Sequence, residues 1–207
     1  MIDLYSSPTP NGRKISIMLE ELGVDFNPIL INLDKKEQFS EHFSKISPAN
    51  KIPVIVDNDN NQTVFESGAI LLYLAKKYDK LLNKDKYWEI IQWVFFQMAY
   101  VGPMLGQAHQ YLFYHPGKSK FAEDKTKGYA QHIYSILDKR LSKQEYFSDN
   151  YSIADISIWP WTARYERHQI NLHDYPNVLR WYKQISTRPA VIKGYNSVGE
   201  FYEIPKP

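Results

Sequence analysis

Over the first eighty residues, short apolar runs alternate with amphipathic stretches; after that, nearly every stretch is amphipathic with a helical period. Ile2-Asp3-Leu4-Tyr5 reads as a strand, and Ser6 to Asn11 as a loop carrying Pro8 and Pro10. Gly12 to Leu22 places Ile15, Met18, Leu19 and Leu22 on one helical face, and Gly23 ends it. Phe26 to Leu33 is a second strand, with Pro28 pointing to an edge or an irregular start, and Gln38 to Lys45 is a short helix or turn. Ile52 to Val56 is a brief apolar run and predicts a buried strand. Pro53 lacks a ladder donor and belongs at that strand's entrance or at an edge. Asp57 to Asn61 is a turn, and Thr63-Val64-Phe65 completes a hairpin. A helix then opens at Glu66-Ser67, with Ile70, Leu71, Leu74 and Ala75 as its apolar positions. This β-α-β then β-β-α order predicts a mixed sheet with helices packed on it.

Asp79 to Lys86 is polar and rich in lysine, which places a boundary there: an α/β domain over 1–80, a linker over 81–86 and an all-helical domain over 87–207. In the second domain, Trp88 to Tyr114 has helical spacing, and Gly102-Pro103 should kink or break it. Phe121 to Leu141, the stretch opening at Tyr151-Ser152, Tyr175-Pro176 to Ser186, and Pro189 to Tyr195 are further helices. Ser152 with Asp155 three positions on forms a capping box.

Composition narrows the function. A hydrophobic share of 43% supports a packed core and argues against disorder. A net charge of +2, from 25 basic and 23 acidic residues, is too balanced to predict a nucleic-acid or membrane partner. The chain has no cysteine, which removes disulfides, thiolate metal sites and a protein-thiol nucleophile. Six scattered histidines without an HxxxH-type pair predict no metal site. Met1 leads directly into a strand with no basic segment before it, and no run approaches about 18 apolar residues, so a soluble cytoplasmic protein is expected.

Candidate chemistry begins at Glu66-Ser67. A carboxylate beside a helix N-terminus, where unpaired N–H groups favour anions, can hold a zwitterion. Glu66 would take its ammonium, and Ser67 with the helix end its carboxylate; an ordinary capped helix is the competing reading.

With these elements in this order, the chain resembles a cytosolic glutathione transferase over nearly its whole length. The likeness rests on Lys51-Ile52-Pro53, Glu66-Ser67 and the Ser152-to-Asp155 capping box. Ser7-Pro8-Thr9-Pro10-Asn11-Gly12 and Ile46-Ser47-Pro48-Ala49-Asn50-Lys51-Ile52-Pro53 resemble the bacterial nu class in particular. The resemblance implies a thioredoxin-like N-terminal domain, an all-helical C-terminal domain, and glutathione-dependent reduction of disulfide bonds with glutathione as cosubstrate. It implies that Pro53 follows a cis peptide and that the Ile52 backbone pairs with the cysteinyl backbone of glutathione. Glu66 and Ser67 would hold the γ-glutamyl end. Gln38 and Lys51 would lie near the glycyl end, Lys51 either pairing with its carboxylate or simply solvated.

The resemblance assigns the sulfur to Thr9 and Asn11 at the first helix N-terminus. A thiol of pKa near about 8.5 needs donors and positive potential there to ionise at neutral pH. Ser6 and Ser7 are rival donors, and Tyr5, within its strand, is a third. With no cysteine in the chain, two glutathione molecules would supply both thiols. The nu class uses an arginine from the fifth helix to reach the partner subunit's glutathione; His132 occupies the matching place here, a departure that weakens this contact. A homodimer through the fourth and fifth helices is expected. Phe96, Tyr100, Met104, Tyr111 and Tyr114 are either acceptor-pocket walls or core. Arg164, Arg167 and His168 read as a salt-bridged surface rather than a substrate clamp. Two other functions remain open: a general transferase conjugating hydrophobic electrophiles, and a non-enzymatic regulator on the same fold.

Overall fold

The structure is a computed structural model and describes residues 1–207. Its chain divides into two compact units, residues 1–82 with 187–204, and residues 83–186 with 205–207.

The first unit is built on a four-stranded mixed sheet of order β2-β1-β3-β4, formed by β1 (Ile2–Ser6), β2 (Phe26–Leu30), β3 (Val54–Asp57) and β4 (Gln62–Phe65). β1 runs parallel to β2 and antiparallel to β3, and the β3–β4 pair is the expected hairpin. Ile2, Leu4 and Ser6 alternate into the buried face of β1, as a period of two requires. β2 stops at Leu30, short of Leu33. Beyond it the chain turns, with Asn32 Oδ1 accepting from Lys35 N at 3.0 Å and Glu37 Oε2 accepting from Asn32 N at 2.7 Å.

Helix α1 (Pro10–Leu22) starts two residues earlier than its apolar pattern indicates. Thr9 caps it by accepting from Gly12 N at 3.2 Å, and Pro10 fills the first position, where its missing N–H costs nothing. Gly12 is required here. A Cβ on it would lie 2.2 Å from Ser7 O and 2.3 Å from Ser6 Oγ. α2 (Glu41–Ile46) and α3 (Ser67–Tyr78) complete the N-terminal part. Helix α9 (Pro189–Tyr195), distant in sequence, packs on α1 within the same unit. Its Gly194 permits backbone contact: an added Cβ would sit 2.6 Å from Ile17 Cα, and Gly194 O accepts from Ser16 Oγ at 2.6 Å. Gly194→Ala is therefore expected to lower stability by about 1–3 kcal/mol through overpacking, read as a reduced urea midpoint.

The second unit is helical: α4 (Tyr87–Phe96), α5 (Gly102–Ala108), α6 (Lys120–Leu141), α7 (Ile153–Thr162) and α8 (Pro176–Ser186). Gly102-Pro103 does not break the 87–114 stretch. A wider π-type turn over Gln97–Val101 precedes α5, and a second follows it at His109–Tyr114. Such a turn accommodates the donor that Pro103 lacks and the ring that would strike the preceding carbonyl. The Ser152–Asp155 capping box is present. His168 is no surface residue: it is fully buried, its ring stacked on His109 at 4.7 Å and its Nδ1 3.0 Å from Tyr134 Oη. No helix is long and apolar enough to cross a membrane.

Candidate functional site

Three chain segments that are remote in sequence meet at one cleft of about 150 Å³ in the first unit. The N-terminus of α1 contributes Asn11, the entrance to β3 contributes Lys51, Ile52 and Pro53, and the start of α3 contributes Glu66 and Ser67. The Ile52–Pro53 peptide is cis. Ser47, which the sequence reading quoted only as part of a motif, also lines the cleft and organises it. Its Oγ accepts from Lys51 N at 3.0 Å and donates to Lys51 O at 2.8 Å, fixing the backbone just before Ile52. A buried serine directly after the end of a short helix carries no signal of this in sequence.

Glu66, not Ser67, is the N-cap of α3. It sits at φ 69° and ψ 115° and makes no side-chain cap bond. For a non-glycine residue this backbone conformation costs about 1–3 kcal/mol, and such strain concentrates at ligand sites. Ser67 is the first helical residue, and its Oγ accepts from Lys14 Nζ at 3.2 Å. Lys14 is buried, as is Arg13 beside it. Arg13 is held to the C-terminal segment by Nε–H donation to Tyr195 O at 3.0 Å and by the Tyr195 ring 3.6 Å below its guanidinium.

The residues proposed for the sulfur flank the start of α1. Asn11 is the second residue of that helix, where the backbone N–H points out of the helix end. Thr9 faces a second, larger cleft of about 260 Å³ in the same unit. The walls of this cleft are Ser7, Pro8 and Thr9 on one side, the Leu30–Asp34 stretch on another, and Gly199, Glu200 and Tyr202 of the C-terminal segment. Because Thr9 Oγ1 already accepts the Gly12 N–H, its own proton is directed elsewhere.

The rival donors are buried or engaged elsewhere. Ser6 is fully buried, and the Ser7 hydroxyl donates to Ile31 O. Tyr5 packs on Phe43 and stands 3.5 Å from His42 Nε2; burial, with Asp3 nearby, pushes its phenol pKa up, away from use as an activator at neutral pH. Gln38 lies in the short turn Glu37–Phe39 and lines neither cleft; its Oε1 is buried without a hydrogen-bond partner. His132 lies exposed on α6, in the second unit. Thus Asn11, Lys51, Ile52, Pro53, Glu66 and Ser67 are brought together, Thr9 adjoins them, and Gln38 lines neither cleft.

Known proteins share this sequence pattern and fold. Residues 1–76 match the family described as Glutathione S-transferase, N-terminal domain, and residues 100–189 match Glutathione S-transferase, C-terminal domain. The disulfide-bond oxidoreductase YfcG of Escherichia coli is 43% identical over 198 residues, covering 92% of each chain. A glutathione transferase of Pseudomonas putida, solved with one glutathione disulfide bound per subunit, superposes with a TM-score of 0.89 at 37% identity, covering 94% of this chain and 90% of that one. One from Burkholderia graminis, solved with two glutathione molecules per subunit, gives 0.89 at 38% identity, with 95% and 88% covered. The chain belongs to the glutathione transferase superfamily, and its relatives include bacterial members named as disulfide-bond oxidoreductases.

Proposed function

We propose that the chain is a glutathione-dependent thiol–disulfide oxidoreductase. The observation that carries this reading is the convergence of Asn11, the Ile52 backbone, and Glu66 with Ser67 on one cleft, at the N-termini of two helices. Each end of the tripeptide meets suitable chemistry. Glu66 accepts from the γ-glutamyl ammonium, and Ser67 and the N–H groups of α3 donate to its carboxylate. The Ile52 backbone pairs with the cysteinyl unit as an added strand would. Lys51 reaches the glycyl carboxylate.

At the sulfur, Asn11 donates from its amide, Thr9 donates its hydroxyl proton, and the helix end adds positive potential, so the thiolate forms near neutral pH. Glutathione supplies the thiol chemistry: two glutathione thiols give up two protons and two electrons, and one acceptor disulfide becomes two thiols. No cysteine is then required of the protein. The cleft beside Thr9 lies on the other flank of the same helix start, and we assign the acceptor to it. A homodimer belongs to this reading, since α4 leaves Trp88 and Phe95 largely exposed at positions one heptad apart.

The test is calorimetric binding of glutathione, followed by turnover of a small aromatic disulfide beside conjugation of chlorodinitrobenzene. Disulfide turnover exceeding conjugation by tenfold or more is expected. Conjugation without disulfide turnover would make the protein a general transferase, and absence of glutathione binding would leave only a regulatory role.

A further inference from the structure

The mechanism above does not use Lys14, an amine enclosed in the first unit. Its side chain is 1% exposed, and its Nζ lies 3.2 Å from Ser67 Oγ. Burial drives its pKa well below the ordinary lysine value, while the Glu66 carboxylate pulls it back up.

We propose that Lys14 is the positioning residue of the γ-glutamyl subsite: from behind Ser67 it turns the serine hydroxyl proton toward the ligand and supplies the positive charge that holds the ligand's α-carboxylate. This rests on the glutathione reading of the cleft and extends it to a residue that does not line it.

An ammonium has three donors and no acceptor, so in the Lys14–Ser67 contact the serine oxygen must accept. Its own proton is then turned away from Lys14. Ser67 lines the cleft and opens α3, so an anion at this helix end meets the serine hydroxyl and the backbone N–H groups, with Lys14 behind them. Glu66 stands one residue earlier on the cleft wall. A carboxylate beside a serine backed by an ammonium is a dipolar pattern, and it matches the paired ammonium and carboxylate of an α-amino acid headgroup. The same logic acts at the other helix start, where Gly12 N–H occupies the acceptor side of the Thr9 hydroxyl.

The test is titration of the full-length protein with glutathione and with its analogue 4-aminobutyryl-cysteinyl-glycine, which keeps the amine and lacks the α-carboxylate. Lys14→Met is expected to weaken glutathione binding by about ten- to thirtyfold, the range of a charge-assisted contact. It should change analogue binding by less than about twofold. It should also retain the fold with an unchanged or raised melting temperature, because a buried charge is replaced by an apolar chain of similar length. In a Ser67→Ala background the loss caused by Lys14→Met should shrink to a few-fold, showing that the two side chains act as one unit. Equal losses for both ligands, or no loss for glutathione, would refute the assignment. If Lys14→Met does not fold, Lys14→Gln, which keeps a donor without the charge, is read against the same two ligands with the same expected selectivity. Wild-type protein that binds neither ligand would instead overturn the glutathione reading itself.

Discussion

Replacing Asp155 with alanine is expected to lower stability by about 3 kcal/mol at neutral pH. The carboxylate is fully buried at the start of α7 and accepts from Ser152 N at 3.0 Å, Phe147 N at 3.1 Å and Trp181 Nε1 at 2.8 Å. Alanine leaves these three donors in the interior, each at about 1–3 kcal/mol. Part of that loss is offset, because alanine also removes a carboxylate whose burial pushes its pKa up to about 6.

The same shift sets the pH dependence. The folded pKa lies above the ordinary carboxyl value of 3.8, so between about pH 4 and 6 the native state holds a proton that the unfolded chain has released. Asp155 therefore contributes most below the unfolded value, and its contribution falls as pH rises through about 6. The gap in urea midpoint between wild type and Asp155→Ala should widen as pH is lowered from 7 to 5. A gap that narrows would show that the three donors hold the carboxylate as an anion throughout.

The capping box that contains Asp155 was legible because it depends on residues three apart. The strands and the β3–β4 hairpin were legible from equally local patterns, whereas Ser67, a good capping residue by type, is the first helical residue and Glu66 takes the cap position. What sequence did not show has one physical cause, which is burial imposed by remote segments. Arg13, Lys14 and Ser16 lie outside the apolar positions that mark α1 in sequence, yet all three are buried, because α3 and α9 both pack on α1. A helix covered on several sides has no solvent face for its period to report. For that reason the apolar pattern found Ile15, Met18 and Leu19 but could not find the Lys14–Ser67 contact, which joins residues 53 apart. Likewise, His168 looked like part of an exposed basic cluster, and only the placement of His109 and Tyr134 around it reveals an interior position. The Gly102-Pro103 break failed to appear because a local rule about proline does not foresee a π-type turn that absorbs it.

Asn11→Ala is expected to slow disulfide turnover about tenfold to a hundredfold at pH 7, by raising the pKa of the bound glutathione thiol. Asn11 lines the cleft at the second position of α1, so in the proposed reading its side chain and the helix end act on the same sulfur. Loss of one preorganised donor to a developing anion costs about a hundredfold or more in an oxyanion hole, and less is expected at a sulfur, which accepts hydrogen bonds weakly. The pH profile separates this role from simple positioning. With the donor present, turnover should level off near neutral pH, once the bound thiol is ionised. Without it, the rise should move toward the free-thiol value near about 8.5, so the two profiles converge by about pH 9. A uniform reduction at every pH would mean that Asn11 places the thiol without ionising it. Thr9→Val should show a similar displacement and, in addition, lower stability by about 1 kcal/mol, because Thr9 also caps α1. Thr9→Ser keeps the hydroxyl and should restore both. If Thr9→Val loses stability while its pH profile stays in place, Thr9 only caps the helix, and the thiolate is held by Asn11 and the helix end.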